Sequence, residues 1–126
     1  MEEVNSYRQT AELFRLLSHP ARLRILDELR RGEACVCHLQ AILQQRQPYI
    51  SQQLTLLREA GVTESRRDGT FIYYQLADLR VMQLLNALLG PAGQTTHPTD
   101  CACPECRQVR TEFASLQSEE KQEDAK

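Results

Sequence analysis

The segment ACVCHLQAILQQRQPYISQQLTLLREAG, residues 34–61, decides the fold of this chain. Apolar side chains recur at helical spacing over residues 34–43, and the pattern resumes over residues 48–60 before Gly61 ends it. The polar residues 44–46 between the two helices are predicted to form a tight turn. Two short helices joined by a turn of three or four residues are typical of a helix-turn-helix.

Two short runs of strand-forming residues follow, at positions 62–66 and 70–76. Between them stand Arg67, Asp68 and Gly69, and an Asp-Gly pair is a strong signal for a β-hairpin turn. A two-stranded hairpin directly after a helix-turn-helix is a wing. The sequence therefore predicts a mainly α fold with a small β-hairpin, a winged helix-turn-helix.

Further helices are predicted on both sides of this region. Residues 4–17 are amphipathic, and the Ser18–Pro20 step ends that helix and starts a second one, which stops before Gly32. The last helix, residues 79–89, is so apolar that a small domain cannot bury it alone. We therefore expect a homodimer that packs through the first and last helices.

The chain of 126 residues is long enough for one domain with a modest core. We predict a DNA-binding and dimerisation domain over residues 1–90 and a flexible, cysteine-containing tail over residues 91–126. The net charge is −2, but the acid excess lies in the tail, because residues 1–90 carry eleven arginines against ten acidic groups. Arginine suits phosphate and guanine contacts, so this charge distribution is compatible with a nucleic-acid partner.

The sequence also indicates in which cellular compartment the protein works and which classes of protein it does not belong to. No stretch approaches the roughly 18 apolar residues of a membrane helix, and the acidic N-terminus does not resemble a secretory signal. We expect a cytoplasmic protein without a membrane partner, where its five cysteines stay reduced and favour metal-binding or catalytic roles. An enzyme is not expected, because the sequence offers the thiols no βαβ scaffold, partner base or substrate pocket.

The second helix of the helix-turn-helix is predicted to enter the major groove of DNA. With Ile50, Leu54 and Leu57 facing inward, its outward side carries polar side chains that can contact bases or phosphates. The predicted contacts on this helix are Gln47, Tyr49, Ser51, Gln52 and Thr55. Phosphate contacts are expected from Arg46, Arg58, Arg66 and Arg67, with the minor groove as an alternative for Arg67 at the wing tip.

Four motifs occur in one order along the chain: LFRLLSHPARLRILDEL (13–29), GEACVCHL (32–39), QPYISQQLTLLREAGV (47–62) and RRDGTFIYYQL (66–76). Through them, about residues 8–90 resemble the ArsR/SmtB family of bacterial metalloregulatory repressors. The resemblance implies a winged helix-turn-helix homodimer on double-stranded operator DNA, which represses an operon for metal or metalloid resistance. It also implies that the repressor leaves the operator when its ion binds.

The resemblance assigns the inducer site to Cys35 and Cys37. Their Cys-Val-Cys motif is similar to the arsenic- and antimony-sensing subgroup, and cadmium and lead sensors share the pair. Gln40 stands where the arsenic pattern sometimes has a third cysteine. Independently of the family, soft thiolates select soft ions, and arsenic(III) prefers three sulfurs. On a regular helix the two cysteines would point about 200° apart, so the first turn would have to unwind around a shared ion.

A second cysteine cluster lies in the tail, where Cys101, Cys103 and Cys106 follow His97. Three alternatives stay open for it. It can form a trithiolate arsenic site of its own, lend one or two sulfurs to the earlier pair, or make a Cys3His zinc clip with His97. The linker after the last helix can span up to roughly 35 Å, so the reach of the tail does not decide between them.

The predicted inducer is arsenic(III) or antimony(III), with cadmium, lead or zinc as alternative ions. The zinc site that the family places on the last helix is absent, because Asp78 opens that helix but no histidine follows within it. A thiol redox or persulfide sensor with the same fold and cysteines is the main rival. His19 is expected as a helix cap, and His38 as a surface residue beside Cys37.

Overall fold

The computed structural model describes residues 2–94, so the tail cysteines Cys101, Cys103 and Cys106 lie outside the described residues. Within the described part the chain forms five helices and three strands. The helices are α1 (Glu2–Leu17), α2 (Pro20–Leu29), α3 (Val36–Leu43), α4 (Gln47–Glu59) and α5 (Leu79–Leu89), and the strands are β1 (Ala34–Cys35), β2 (Thr63–Asp68) and β3 (Phe71–Leu76). The predicted winged helix-turn-helix is confirmed, with α3 and α4 as the helix-turn-helix and β2 and β3 as the wing.

Local sequence sets where the helices begin and end. Pro20 and Pro48 stand in the first turns of α2 and α4, where proline costs no intrahelical hydrogen bond. Gln44 closes α3 in the left-handed conformation, with a φ of +54°, and its backbone N–H donates to the Gln40 carbonyl. The turn between α3 and α4 therefore lies where the sequence predicts it.

The sheet has three strands, whereas the sequence predicts two. The strand order is β1-β3-β2, and every pairing is antiparallel. The added strand consists of Ala34 and Cys35, whose partners on β3 are Tyr74 and Tyr73. Two residues are too few to show a period of two, so the helical pattern of α3 extends over them in the sequence.

The wing turn lies later than the sequence predicts. The strand β2 continues through Asp68, which pairs with Phe71, and the loop consists of Gly69 and Thr70. Gly69 has a φ of +62°, and glycine at the first position of a two-residue hairpin loop favours a type II′ turn. Arg67 consequently lies in a paired strand rather than in the turn.

The core holds the helix α4 against its neighbours. Its predicted inward stripe is confirmed, because Ile50, Leu54 and Leu57 are fully buried. Other apolar side chains of the same cluster come from α2, α3, α5 and the start of the wing: Ile25, Leu26, Leu39, Val62, Val81 and Leu85. Each such side chain stabilises the fold by about 1.5–3 kcal/mol, so the position of α4 is set by core packing.

Several large apolar side chains of α1 and α5 remain exposed. They are Tyr7, Phe14, Leu79, Leu88 and Leu89. A groove of about 450 Å³, lined mainly by leucines, lies between α1, α2 and α5. The exposed residues belong to the two helices that the sequence predicts as the dimer interface. Within residues 2–94, no helix combines the length and the apolar character needed to cross a membrane.

Candidate functional site

The helix α4 presents a polar side opposite its buried stripe. On that side Gln52 and Thr55 are exposed and Ser51 is half-buried. Arg46 precedes the helix and Gln47 begins it, and both are exposed. Apart from Thr55, these predicted DNA contacts lie just before α4 or in its first half, the region of a recognition helix that contacts base edges.

Two of the predicted contacts are already engaged within the protein. Tyr49 packs against the hydrophobic core, and the Thr55 hydroxyl donates a hydrogen bond to the Ser51 carbonyl at 2.9 Å. A hydroxyl that donates one hydrogen bond can still accept another. The DNA contacts of Tyr49 and Thr55 stay predictions, as does that of Arg58, which is exposed near the end of α4.

A polar residue that sequence analysis missed ties α4 to the rest of the domain. Gln53 is buried, and its side-chain oxygen accepts a hydrogen bond from Arg22 Nε of α2 at 2.7 Å. Arg22 Nη1 also donates to the carbonyl of Leu16 in α1, at 3.1 Å. One guanidinium therefore joins three helices. The partners Arg22 and Gln53 are 31 positions apart, so no local sequence pattern could link them.

The two wing arginines have different surroundings. Both are exposed, but Arg66 also forms an ion pair with Glu33, in which Arg66 Nε lies 2.8 Å from Glu33 Oε2. The guanidinium carbon of Arg66 also lies 4.5 Å from the centre of the Tyr73 ring, within the range of a cation–π contact. Arg66 has to exchange these partners for a phosphate in order to act as predicted.

Cys35 lies outside the helix α3, so the prediction that placed it on that helix is wrong. Its backbone is extended, with φ −83° and ψ 168°, because it pairs with Tyr73 of β3. The Cys35 thiol caps α3 by accepting a hydrogen bond from the backbone N–H of His38 at 3.3 Å. The angle of about 200° that a regular helix would place between Cys35 and Cys37 therefore does not apply. The first helical turn does not have to unwind for the two thiols to share an ion.

The two thiols line one pocket. Cys35 is buried and Cys37 is half-buried, and the pocket has a volume of about 250 Å³. The rest of the lining comes from α3, from the first residue of α4 and from the wing: Val36, Gln40, Gln47, Thr70, Phe71 and Ile72. The two thiols and both elements that are predicted to contact DNA therefore meet at this pocket.

The donors in this pocket suit a soft ion. Cys35 and Cys37 contribute sulfur, and the part of the lining that comes from residues 2–94 contains no carboxylate or imidazole. Among residues 2–94, no cluster of three or more His, Cys, Asp or Glu side chains could hold a metal ion. Two sulfurs are one short of the three that arsenic(III) prefers and two short of a tetrahedral zinc site. Because His97 and the tail cysteines lie outside the described residues, the alternatives for the tail stay open.

His38 is 1% exposed, so the prediction that it lies on the surface is wrong. Its Nε2 lies 2.9 Å from Glu28 Oε1 of α2, and Arg31 Nη1 donates to the other Glu28 oxygen at 3.0 Å. Burial raises the pKa of Glu28, but the hydrogen bonds and charges of His38 and Arg31 outweigh it, so this pKa lies below its ordinary value of 4.5. His38 therefore joins α3 to α2 through a buried polar contact.

Two predicted residues, His19 and Asp78, stand at the cap positions of further helices. His19 occupies the cap position of α2, as expected, but its side chain makes no capping hydrogen bond. Asp78 caps α5 by accepting from the Arg80 N–H at 2.9 Å, and it also pairs with the Arg80 side chain. That side-chain hydrogen bond is the main reason why the pKa of Asp78 lies below its usual range.

Comparison with known proteins is consistent with this architecture. The sequence profile described as bacterial regulatory protein, arsR family, matches residues 19–65. The biofilm growth-associated repressor of Agrobacterium fabrum is 45% identical over 80 residues, which cover 64% of this chain and 68% of that protein. The profile match therefore includes α2 and the two helices of the helix-turn-helix, α3 and α4.

Two solved structures share the fold. The transcriptional repressor BigR from Xylella fastidiosa aligns with a TM-score of 0.64 at 39% identity, covering 69% of this chain and 89% of that chain. The homodimeric winged helix-turn-helix DNA-binding domain Mb0332 from Mycobacterium bovis aligns with a TM-score of 0.63 at 30% identity, covering 69% and 81% of the two chains. This chain therefore belongs to the ArsR family of transcriptional repressors, which are DNA-binding regulators and not enzymes.

Proposed function

We propose that this repressor leaves its operator when arsenite or antimonite binds to Cys35 and Cys37. The observation that carries the proposal is the shared pocket, in which the two thiols meet Gln47 of α4 and residues 70–72 of the wing. An ion held by the two sulfurs therefore lies against both elements that are predicted to contact DNA. We expect its presence to change how these elements fit the groove.

The capture of arsenite by thiols needs no change of oxidation state. Each sulfur–arsenic bond that forms releases one water, made from a hydroxyl of arsenous acid and the proton of the thiol. The ligand in the complex is the thiolate, which favours soft ions of this kind. At Cys35, bond formation uses the sulfur that accepts the hydrogen bond from His38 N–H, so we expect inducer binding to alter the cap of α3.

A change in this cap is large enough to matter. A side-chain cap at the start of a helix contributes about 0.5–2 kcal/mol. Allosteric coupling between two ligands is typically about 1–3 kcal/mol, which is about 5–150-fold in affinity. We expect the altered α3 cap, together with an ion that lies against Gln47 and the wing, to produce a coupling of this size.

We also propose that the active repressor is a cytoplasmic homodimer on a palindromic operator. Support comes from the exposed apolar side chains of α1 and α5, such as Phe14 and Leu88. The similar domain from Mycobacterium bovis is homodimeric. A two-fold symmetric protein presents two recognition helices to two half-sites of a palindrome.

The third sulfur of the arsenic site is proposed to come from the tail. The linker between α5 and Cys101 can span up to roughly 35 Å, which allows a tail cysteine to reach the pocket of either protomer. A separate trithiolate site in the tail and a zinc clip with His97 are the alternatives. Cadmium and lead are the alternative inducers, because the same thiolates bind them.

A redox or persulfide sensor is the second candidate function. It is favoured by the same pocket, because Cys35 and Cys37 are separated by one residue there. An oxidant could join them in a disulfide, or a persulfide donor could transfer a sulfur atom to one of them. The two functions differ in their trigger. An ion sensor responds in the reduced protein, whereas a redox sensor responds to an oxidant without any ion.

Operator binding under reducing conditions tests the proposal. An operator selected by the protein from a random DNA library is titrated by fluorescence anisotropy, with a phosphine reductant that does not compete for arsenic. We expect arsenite to weaken binding by about 5–150-fold, and an oxidant or persulfide donor without arsenite to leave binding unchanged. Release by the oxidant alone, with no effect of arsenite on the reduced protein, would instead establish the redox function.

A further inference from the structure

We infer that Arg66 is a positioning residue that transmits inducer binding from Cys35 to the wing, with Tyr73 between them. The inference rests on the proposed function and deepens it, because it assigns the route by which the thiol pocket acts on DNA binding. It gives Arg66 a role different from the phosphate contact that the sequence predicts.

The three residues form one row across the sheet. Tyr73 on the central strand β3 is the register partner of Cys35 on β1 and of Arg66 on β2. Directly opposed residues of antiparallel strands place their side chains on the same face of the sheet. The row therefore leads from a sensing thiol to a wing arginine along one face.

Side-chain contacts follow this row. Tyr73 is buried and forms a small cluster with Cys35, against which Cys37 and Phe71 pack. The guanidinium carbon of Arg66 lies 4.5 Å from the centre of the Tyr73 ring. A displacement of the Cys35 sulfur therefore acts first on the Tyr73 ring and then on Arg66.

A second contact ties Arg66 to the segment that carries the thiol. Arg66 Nε donates to Glu33 Oε2 at 2.8 Å, and Glu33 stands just before β1, close to Cys35 in the chain. This ion pair is partly exposed, and exposed ion pairs and cation–π contacts are each weak. Weak contacts can be broken and remade within an ordinary allosteric coupling, so Arg66 is suited to a switch.

Arg67 provides a matched control for Arg66. It carries the same charge on the same strand, and its register partner is Ile72 rather than Tyr73. Successive residues of a strand point to opposite faces of the sheet. Replacing Arg67 therefore removes a wing cation and leaves the row of Cys35, Tyr73 and Arg66 intact.

The test compares Arg66→Gln with Arg67→Gln in the full chain. Two quantities are measured. The first is the operator affinity without inducer, and the second, called the arsenite factor, is the factor by which saturating arsenite lowers that affinity. We expect Arg67→Gln to weaken operator binding and to keep the wild-type arsenite factor. Arg66→Gln should reduce the arsenite factor by about 2–30-fold, as mutations along a coupling route do. Sulfur–arsenic absorption should show that both variants still bind arsenite.

Glu33→Gln distinguishes a positioning role of Arg66 from a phosphate contact, because only the positioning role predicts a change in the arsenite factor. This variant removes the ion-pair partner of Arg66 and keeps every wing arginine. We expect unchanged operator affinity without inducer, together with a reduced arsenite factor.

The inference is overturned if Arg66→Gln behaves like Arg67→Gln, or if Glu33→Gln keeps the wild-type factor. A wild-type protein that shows no arsenite factor at all would overturn the proposed function as well, and that outcome is visible before any variant is compared.

Discussion

Replacing Glu28 with alanine is expected to lower the free energy of unfolding by about 3–5 kcal/mol, the usual cost of removing one partner of a buried ion pair. Glu28 is 2% exposed, and its two oxygens lie 2.9 Å from His38 Nε2 and 3.0 Å from Arg31 Nη1. Without the carboxylate, the buried imidazole of His38 loses this partner, and a buried polar group without its partner is costly. Chemical denaturation followed by circular dichroism measures the change.

Asp78→Ala is the matched control for this prediction. It also removes an acid that pairs with an arginine, but the pair lies at a helix end with an exposed Arg80. The expected cost is about 0.5–2 kcal/mol, the usual value of a lost helix cap. Equal costs for Glu28→Ala and Asp78→Ala would contradict the buried-pair interpretation.

The pH dependence gives an independent check on Glu28. Because folding lowers the pKa of Glu28, its contribution to stability is complete above its ordinary value of 4.5 and is lost as the pH falls through the lower folded value. The difference in stability between the wild type and Glu28→Gln should therefore be constant at neutral pH and should narrow on the acid side. A difference that is constant down to the acid transition would contradict the lowered pKa.

The double substitution Ser51→Ala and Gln52→Ala is expected to weaken operator binding by about 10–100-fold, because good base contacts contribute about 1–3 kcal/mol each. Both side chains lie on the polar side of α4, with Gln52 exposed and Ser51 half-buried. Neither residue lines the thiol pocket, so the uptake of arsenite should be unchanged. Fluorescence anisotropy with the selected operator measures the first quantity, and sulfur–arsenic absorption measures the second.

Gln75→Ala is a suitable control for the double variant. Gln75 is exposed near the end of β3 that lies away from the wing turn, and its side-chain amide donates to Glu64. This variant should bind the operator as tightly as the wild type. Unchanged affinity in the double variant would show that the DNA-reading face lies elsewhere.

Regular periodicity made much of the fold predictable. The burial of Ile50, Leu54 and Leu57 follows from their helical spacing, and α5 begins and ends at the predicted residues Leu79 and Leu89. Pattern arguments work for such segments because a helix of three turns repeats its apolar positions several times. The position of the polar side of α4 follows from the same repeat.

The wrong or missing predictions concern short segments and pairs of contacting residues that are distant in sequence. Cys35 was assigned to a helix because a strand of two residues leaves no periodic signal, and only its pairing with Tyr73 makes it extended. His38 was assigned to the surface because its partner Glu28 lies one helix earlier in the chain. The contact of Arg22 with Gln53 was missed for the same reason. Side-chain pairing between elements is a property of the tertiary structure, which single-sequence patterns do not contain.

The corrected position of Cys35 strengthens the link between the thiols and the fold. As a cap of α3 and a partner of Tyr73, Cys35 belongs at once to the helix-turn-helix and to the sheet that carries the wing. A residue on the regular helix predicted from the sequence would have lacked the second connection. The pocket of Cys35 and Cys37 is thus placed at the junction of the two elements.

The double variant Cys35→Ser and Cys37→Ser shows whether an ion held by these two thiols releases the operator. It is titrated with operator in the presence and absence of arsenite under reducing conditions. Serine is a favourable helix cap, so this variant should keep the hydrogen bond to His38 N–H and the operator affinity of the wild type. A triple variant with serine at Cys101, Cys103 and Cys106 is measured in parallel.

We predict that arsenite weakens the wild-type complex by about 5–150-fold and leaves the complex of the Cys35→Ser, Cys37→Ser variant unchanged. If arsenite still releases that variant from DNA while the tail variant no longer responds, the sensor lies in the tail and not at Cys35 and Cys37.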